Sequence, residues 1–358
     1  MAKKAAEKSA KELSEMLLNP RKNGFFKVTD EKIEKADKFC EGYKAFLNSA
    51  KTERESVEYA VAAAEKHGFV PFDPKHKYAA GDKVYYNNRG KAICLAIMGK
   101  EGCKNGVRIA AAHIDNPRLD LKPIPLYESS EMAYLKTHYY GGIKKYQWTA
   151  IPLAMHGVVV KSDGTVIKVC IGEEAGDPQF TITDILPHLG QDQATKPLGT
   201  AFTGEDLNIL IGSRPVRDEE AKDAYKLNIM RLLNEKYGII EADLISAEIE
   251  FVPAFKAVDI GFDRSLVGAY GHDDRVCAYA SVNAILSIDE TPEYTCCCLL
   301  ADKEEIGSEG VSGMQCSLIL DLISALAQEL GGNDAAVRAN SKCLSSDVGA
   351  TYDPNFDE

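Results

Sequence analysis

The sequence predicts an α/β fold, a central sheet flanked by helices and interrupted by a β-rich insertion, and three observations carry that expectation. Amphipathic helices alternate with short apolar runs up to about residue 123. The middle of the chain changes to hairpins and a strand of alternating polarity. From about residue 268 the alternation of helix and buried strand returns. The expected boundaries are 1–123 and 266–358 for the two parts of the main domain, and 124–265 for the inserted domain.

Each element follows from local chemistry. Ile33, Ala36, Cys40, Tyr43 and Leu47 recur at steps of three and four, which predicts an amphipathic helix over 32–47. Thr52 with Glu55 three residues on is a capping-box signal, opening a helix that closes at Gly68. Residues 83–98 read as a hairpin turning at Asn87-Asn88-Arg89-Gly90. The run 107–112 suits a buried central strand ending at His113. In the insertion, 158–160 and 166–170 flank the turn Ser162-Asp163-Gly164-Thr165. Tyr225, Ile229, Leu232 and Leu233 share one face of a helix within 218–236. Ile245, Ala247, Ile249 and Phe251 alternate with Ser246, Glu248 and Glu250, which predicts a strand with one wet face. A helix at 275–287, a strand at 294–301 and a helix at 315–330 complete the order.

Composition sets the limits. A chain of 358 residues, 45% of them hydrophobic, can bury the core of one large α/β domain or of two domains. No apolar run approaches the roughly 18–20 residues of a membrane-spanning helix, so an integral membrane protein of that kind is excluded. Asp and Glu number 54 against 42 Lys and Arg, a net charge of −12, which argues against nucleic acid as the main partner. Ten cysteines are spread along the chain without a CxxC pair, and Cys296-Cys297-Cys298 lie in an apolar run. They read as small buried hydrophobes rather than disulfides or a thiolate zinc site. The N-terminus is rich in Lys and Ala but carries Glu7 and Glu12 and no Arg before Arg21, unlike a transit peptide. A reduced cytoplasm is expected.

Four stretches place ionisable side chains at strand ends or turns, where open α/β sheets gather ligands. In AAHIDNPRLDLKP (111–123), His113 ends a strand and Asp115 follows two residues later, close enough to fix a metal-bound imidazole; an ordinary polar strand terminus is the plain alternative. In GHDDRVCAYAS (271–281), Asp273 precedes a helix and can either cap it or bridge two cations. In LLADKEEIGSEG (299–310), Glu304 and Glu305 follow an apolar strand. Adjacent carboxylates repel unless a cation or shared proton compensates, so one suits metal binding and its neighbour general base work; a solvated acidic loop is the alternative. In CLSSDVGATYDPN (343–355), Asp347 alone is an ordinary turn residue. Together the stretches supply nitrogen and oxygen donors suited to paired zinc, manganese or cobalt ions.

With Tyr140-Gly141-Gly142 and Trp148 between them, AAHIDNPRLDLKP, GHDDRVCAYAS, DKEEIGSEG and SSDVGATYDPN occur in an order and spacing that resembles the aspartyl aminopeptidase / aminopeptidase I family, over most of residues 20–358. The resemblance implies a dinuclear zinc exopeptidase with a mixed central sheet of that type, assembled as a tetrahedral homododecamer. It implies two divalent ions per subunit, zinc first with manganese or cobalt open, and short peptides with a free N-terminus as substrates. Carried over residue by residue, His113 binds one zinc and Asp115 orients it, Asp273 bridges the metals, Glu304 is the general base, Glu305 binds one metal and Asp347 the other. His188, in ILPHLG, is similar to the family histidine that enters a neighbouring subunit's active site. The insertion would then mediate subunit contacts or cover the site.

Two departures stand out. Val348-Gly349-Ala350 occupies the place where the family commonly has a His after the last Asp. The family's final metal ligand is a His beyond this motif, so the C-terminal end of the catalytic domain, with that ligand, is expected to be missing from the sequence. A dinuclear N-acyl amino-acid hydrolase or deacetylase, and a non-catalytic assembly protein with a degraded site, are the alternative readings.

Overall fold

The computed structural model describes residues 9–19 and 23–356. The chain divides into two compact units, 1–43 and 44–358. In the first, α1 (Ala10–Leu17) opens on a capping box, the Ser9 side chain accepting from the Glu12 amide and the Glu12 carboxylate accepting from the Ser9 amide at 2.7 Å. The helix expected at 32–47 is α2 (Asp30–Ser49), with Asp30 and Glu31 at its positive end.

In the second unit, α3 (Glu53–Lys66) opens on the expected box: the Glu55 amide donates to Thr52 at 3.3 Å and the Thr52 amide to Glu55 at 3.2 Å. Four strands follow, β1 (Val70–Pro71), β2 (Lys83–Asn88), β3 (Ala92–Ile97) and β4 (Arg108–His113). Next come β5 (Arg118–Ser129), β6 (Met132–Tyr140), β7 (Leu153–Val160), β8 (Val166–Ile171), two single-turn helices α4 (Gln191–Ala194) and α5 (Leu198–Ala201), β9 (Ile209–Gly212), α6 (Ala224–Tyr237) and β10 (Glu248–Pro253). A hairpin of β11 (Val258–Ile260) and β12 (Leu266–Gly268) leads to α7 (His272–Leu286), β13 (Cys296–Ala301), α8 (Leu318–Leu330), α9 (Asp334–Asn340) and β14 (Lys342–Ser345).

The first sheet has the order β1-β2-β3-β13-β4-β14. It is mixed: β13, β4 and β14 run parallel, while β2, β3 and β13 are joined antiparallel. Period-two alternation sorts its side chains onto two apolar faces. Ile93, Leu95, Cys298 and Leu300 pack with Val57 and Ala60 of α3 and Val282 and Ile285 of α7. Cys94, Ala96, Cys297 and Leu299 pack on the other face with Leu322, Ile323 and Leu326 of α8. The adjacent cysteines thus serve as small apolar fillers on opposite faces, and all ten cysteines are free thiols.

The second sheet, β8-β7-β10-β5-β6-β9, is antiparallel throughout. The hairpin turning at 162–165 is its β7–β8 pair, and the expected helix over 218–236 begins only at Ala224. One strand is not foreseen in the sequence reading, and another differs from its expected span. Strand β5 passes through the position 123/124 and holds Pro123 and Pro125 at a register irregularity between Leu121 and Leu126, where no ladder N–H is needed. The strand expected to alternate from Ile245 instead starts at Glu248, after a 3₁₀ turn over Glu241–Ser246, and it has no continuous wet face. Glu250 is buried at 4% exposure because the Arg118 guanidinium, 3.3 Å away, replaces water as its partner.

Candidate metal centre

Parallel pairing of β13, β4 and β14 brings three carboxyl ends side by side, with Ala301 opposite His113 and Ser345 opposite Ala111. The residues just beyond these ends, together with the start of α7, build one site. His113 Nε2 lies 3.1 Å from Asp273 Oδ1, 3.8 Å from Glu304 Oε2 and 3.9 Å from Asp347 Oδ1. The imidazole is buried, whereas those three carboxylates are about half exposed, so the cluster opens to solvent on its acidic side.

Asp115 organises the opposite side of the ring. It is fully buried, its carbonyl lies 3.0 Å and its Oδ1 3.3 Å from His113 Nδ1, and the Tyr140 hydroxyl donates to its Oδ2 at 2.7 Å. The amides of Glu304 and Glu305 donate to the same carboxylate at 3.1 and 3.2 Å. One side chain therefore fixes the imidazole and the turn that carries both glutamates. With Nδ1 facing Asp115, Nε2 is the ring nitrogen turned toward the cluster. The Asp273–Asp274 peptide is cis, and Asn116 donates from its side-chain amide to the Asp273 carbonyl.

The electrostatics are those of crowded like charges. Burial, followed by the Asp273 charge, lifts Glu305 to about 7 against the opposing pull of His113. Burial also lifts Asp274 to about 6, with Asp347 and Asp273 adding to it and Cys277 and His113 opposing. Burial alone would depress His113, but Asp115 outweighs it, with Asp274 and Glu304 adding, and raises the imidazole to about 9. Burial pushes the Tyr140 hydroxyl far above its ordinary range, and the Asp115 charge adds to this, so it remains a hydrogen-bond donor. One nitrogen and several oxygen donors carrying this excess of negative charge suit a borderline divalent ion such as zinc. The ligand atoms of His113, Asp273 and Asp347 lie within 4.8 Å of one another, a spacing one cation can bridge.

The structure thus gathers His113, Asp115, Asp273, Glu304, Glu305 and Asp347 from segments up to 234 residues apart, a number that follows from positions 113 and 347. His188 lies elsewhere, in an exposed turn at 187–189, and among the described residues it is not one of the hydrogen-bond or ion-pair partners of His113. His272, adjacent to Asp273, is hydrogen-bonded through Nε2 to the Val267 carbonyl at 3.0 Å. A second grouping, Glu55, His156 and Cys170, has metal-binding atom types, but its neighbour Glu173 is already paired with Lys51 at 2.7 Å and Lys256 at 2.6 Å. Sequence reasoning left Asn116 and Tyr140 without a role, since an aromatic at a strand end reads as core. The one available signal was that Tyr140 opens the Tyr-Gly-Gly segment.

A mixed α/β sheet with an imidazole–carboxylate cluster at its carboxyl edge suits a metal-dependent hydrolase. The aminopeptidase I zinc metalloprotease (M18) family matches residues 46–358. The probable M18 family aminopeptidase 1 of Clostridium acetobutylicum is 47% identical over 348 residues, covering 95% of this chain and 75% of the relative. The crystal structure of an M18 family aminopeptidase from Thermotoga maritima matches with a TM-score of 0.87 at 42% identity, covering 95% of this chain and 74% of that one. The mApe1 dodecamer of S. cerevisiae shares the fold, with a TM-score of 0.71 and 22% identity over 88% of this chain and 73% of that one. The chain belongs to the M18 family and is a metallo-aminopeptidase.

Proposed function

We propose that the chain hydrolyses the N-terminal residue from short peptides with two divalent ions, zinc first with manganese or cobalt possible, held by His113, Asp273, Glu305 and Asp347. The observation that supports this is the convergence of three carboxylates within 3.9 Å of His113 Nε2, while Nδ1 is tied to Asp115. Divalent ions held by these residues would supply polarisation of the scissile carbonyl and acidification of water. Glu304 accepts a proton from the attacking water and returns it to the leaving amine. Asp115 keeps the ring oriented, and the surplus carboxylate charge attracts a free α-amino group, which favours exopeptidase cleavage.

By the same reading the chain self-associates as a tetrahedral homododecamer. Residues 124–265 form the oligomerisation or lid domain, and the exposed His188 completes a neighbouring subunit's site. Ten free thiols suit the reducing cytoplasm as its location. Among the described residues no helix is long and apolar enough to cross a membrane.

The test is Glu304→Gln, assayed on unblocked peptides and on N-acyl amino acids. Turnover of the peptides should fall by about 10²–10⁴-fold with zinc content unchanged. Retained turnover removes Glu304 from the role of base. Cleavage of N-acyl amino acids in preference to free peptides by the unsubstituted protein refutes the aminopeptidase assignment of this site.

A further inference from the structure

The end of β6 belongs to the second sheet, yet it touches both carboxyl groups that matter most beyond the first. The Tyr140 hydroxyl donates to Asp115 Oδ2 at 2.7 Å. At Gly141, with φ +71°, an added Cβ would meet Glu305 Cβ and Oε2 at 3.2 Å each, so the backbone lies directly against that side chain. Tyr140 is itself held. The Arg118 guanidinium stacks over its ring at 3.8 Å, and Arg118 pairs directly opposite Tyr140 in the sheet. Arg118 is anchored in turn by Asp120 at 2.7 Å, Glu250 at 3.3 Å and Glu53 at 3.5 Å.

We propose that Tyr140 and Gly141 are positioning residues through which the second sheet sets the geometry of the metal centre, Tyr140 by fixing Asp115 and Gly141 by leaving room for Glu305. Asp115 has four hydrogen-bonding neighbours: His113, the amides of Glu304 and Glu305, and Tyr140. Without the tyrosine hydroxyl the carboxylate keeps only the two amides and the 3.3 Å contact to His113 Nδ1, and its orientation beside the imidazole is less fixed. The Glu304–Glu305 turn moves with it. This inference rests on the metal-centre reading above.

The experiment measures zinc affinity by chelator competition, and kcat and KM at saturating zinc, for Tyr140→Phe and Gly141→Ala. Tyr85→Phe is the control, since it removes a buried-side hydroxyl bonded to Glu65 at 2.8 Å on the helix α3 face. Gly142→Ala is the second control, because an added Cβ there meets nothing within 4 Å. Tyr140→Phe and Gly141→Ala should each lower zinc affinity and kcat by about 10–100-fold with KM within about twofold, and the controls should change neither. A merely structural role predicts a lower Tm with both quantities intact. Zinc affinity or kcat within about twofold of the unsubstituted protein in both variants overturns the proposal. His113→Ala and Glu305→Ala separate the two layers. If they leave zinc affinity untouched, the metal centre itself is misassigned and the positioning role falls with it. If they abolish zinc binding while Tyr140→Phe does not weaken it, only the positioning role is wrong.

Discussion

Replacing Glu53 by Gln is expected to destabilise the fold by about 3 kcal/mol at pH 7, whereas Glu250→Gln should be neutral or stabilising. Both carboxylates are buried, at 0% and 4% exposure, and both face the same Arg118. Lys91, 3.2 Å from Glu53, breaks the symmetry. Burial pushes Glu53 upward, but Arg118 and then Lys91 outweigh it and hold its carboxyl at about 2. Burial raises Glu250 well above its ordinary value, and the Glu53 and Asp120 charges add to this against Arg118. Moving Glu53 from 4.5 to about 2, at about 1.4 kcal/mol for each tenfold change, gives the figure of about 3 kcal/mol. The signs differ between the two groups. The Glu53 contribution is present above about pH 4.5 and lost as pH falls through about 2, because the folded state then binds the proton last. Glu250 binds a proton more readily in the folded than in the unfolded state, so stability falls as pH rises above about 4.5. Urea unfolding of both variants between pH 4 and pH 8 reads this directly. Equal losses in the two variants, or the larger loss in Glu250→Gln, would refute the assignment of charge to Glu53.

Two further predictions concern the contacts of α3. His156 lies 2.8 Å from Glu55 and 3.1 Å from Glu173, and although burial would depress it, Cys170, Glu173 and Glu55 push it up to about 11. Its contribution is complete below about pH 6.5 and is lost as pH rises through about 11. His156→Leu should therefore cost about 3–5 kcal/mol at pH 7, with the loss shrinking toward pH 11 in denaturant titrations. A loss that grows with pH would contradict it. Thr52→Ala removes the capping partner of the Glu55 amide and should lower stability by about 0.5–2 kcal/mol in thermal unfolding, with Thr52→Ser retaining most of it. An unchanged Tm for the alanine variant would show that packing, not the cap, holds this terminus.

What was legible in the sequence was whatever depends on near neighbours. Strands β4 and β13 announced themselves as apolar runs because both of their faces are covered, by α3 and α7 on one side and α8 on the other. The site residues stood out because polar groups end those runs, and parallel pairing then assembled them. Strand β5 was hidden for the opposite reason. Arg118, Asp120, Lys122, Pro123 and Pro125 look like a loop, since nothing within the segment says that Arg118 will be buried against Glu53 and Glu250. Glu250 misled in the same way, reading as solvated because its cation comes from 132 positions earlier, as the numbers 118 and 250 give. A hydropathy pattern reports the average solvation of a residue type, and burial of a charge is decided instead by its partner. The same limit concealed Tyr140, whose ring is ordinary core but whose hydroxyl meets the Asp115 carboxylate in the connection between β4 and β5. The buried ionisable groups link β5 and β10 to α3 and to the turn between β2 and β3, through Arg118, Glu250, Glu53 and Lys91. These contacts tie the second sheet to α3 through Arg118, the residue opposite Tyr140 in the β5–β6 ladder. Arg118 also stacks over the Tyr140 ring whose hydroxyl donates to Asp115, so the part of the fold least readable from the sequence lies directly against the site most readable from it.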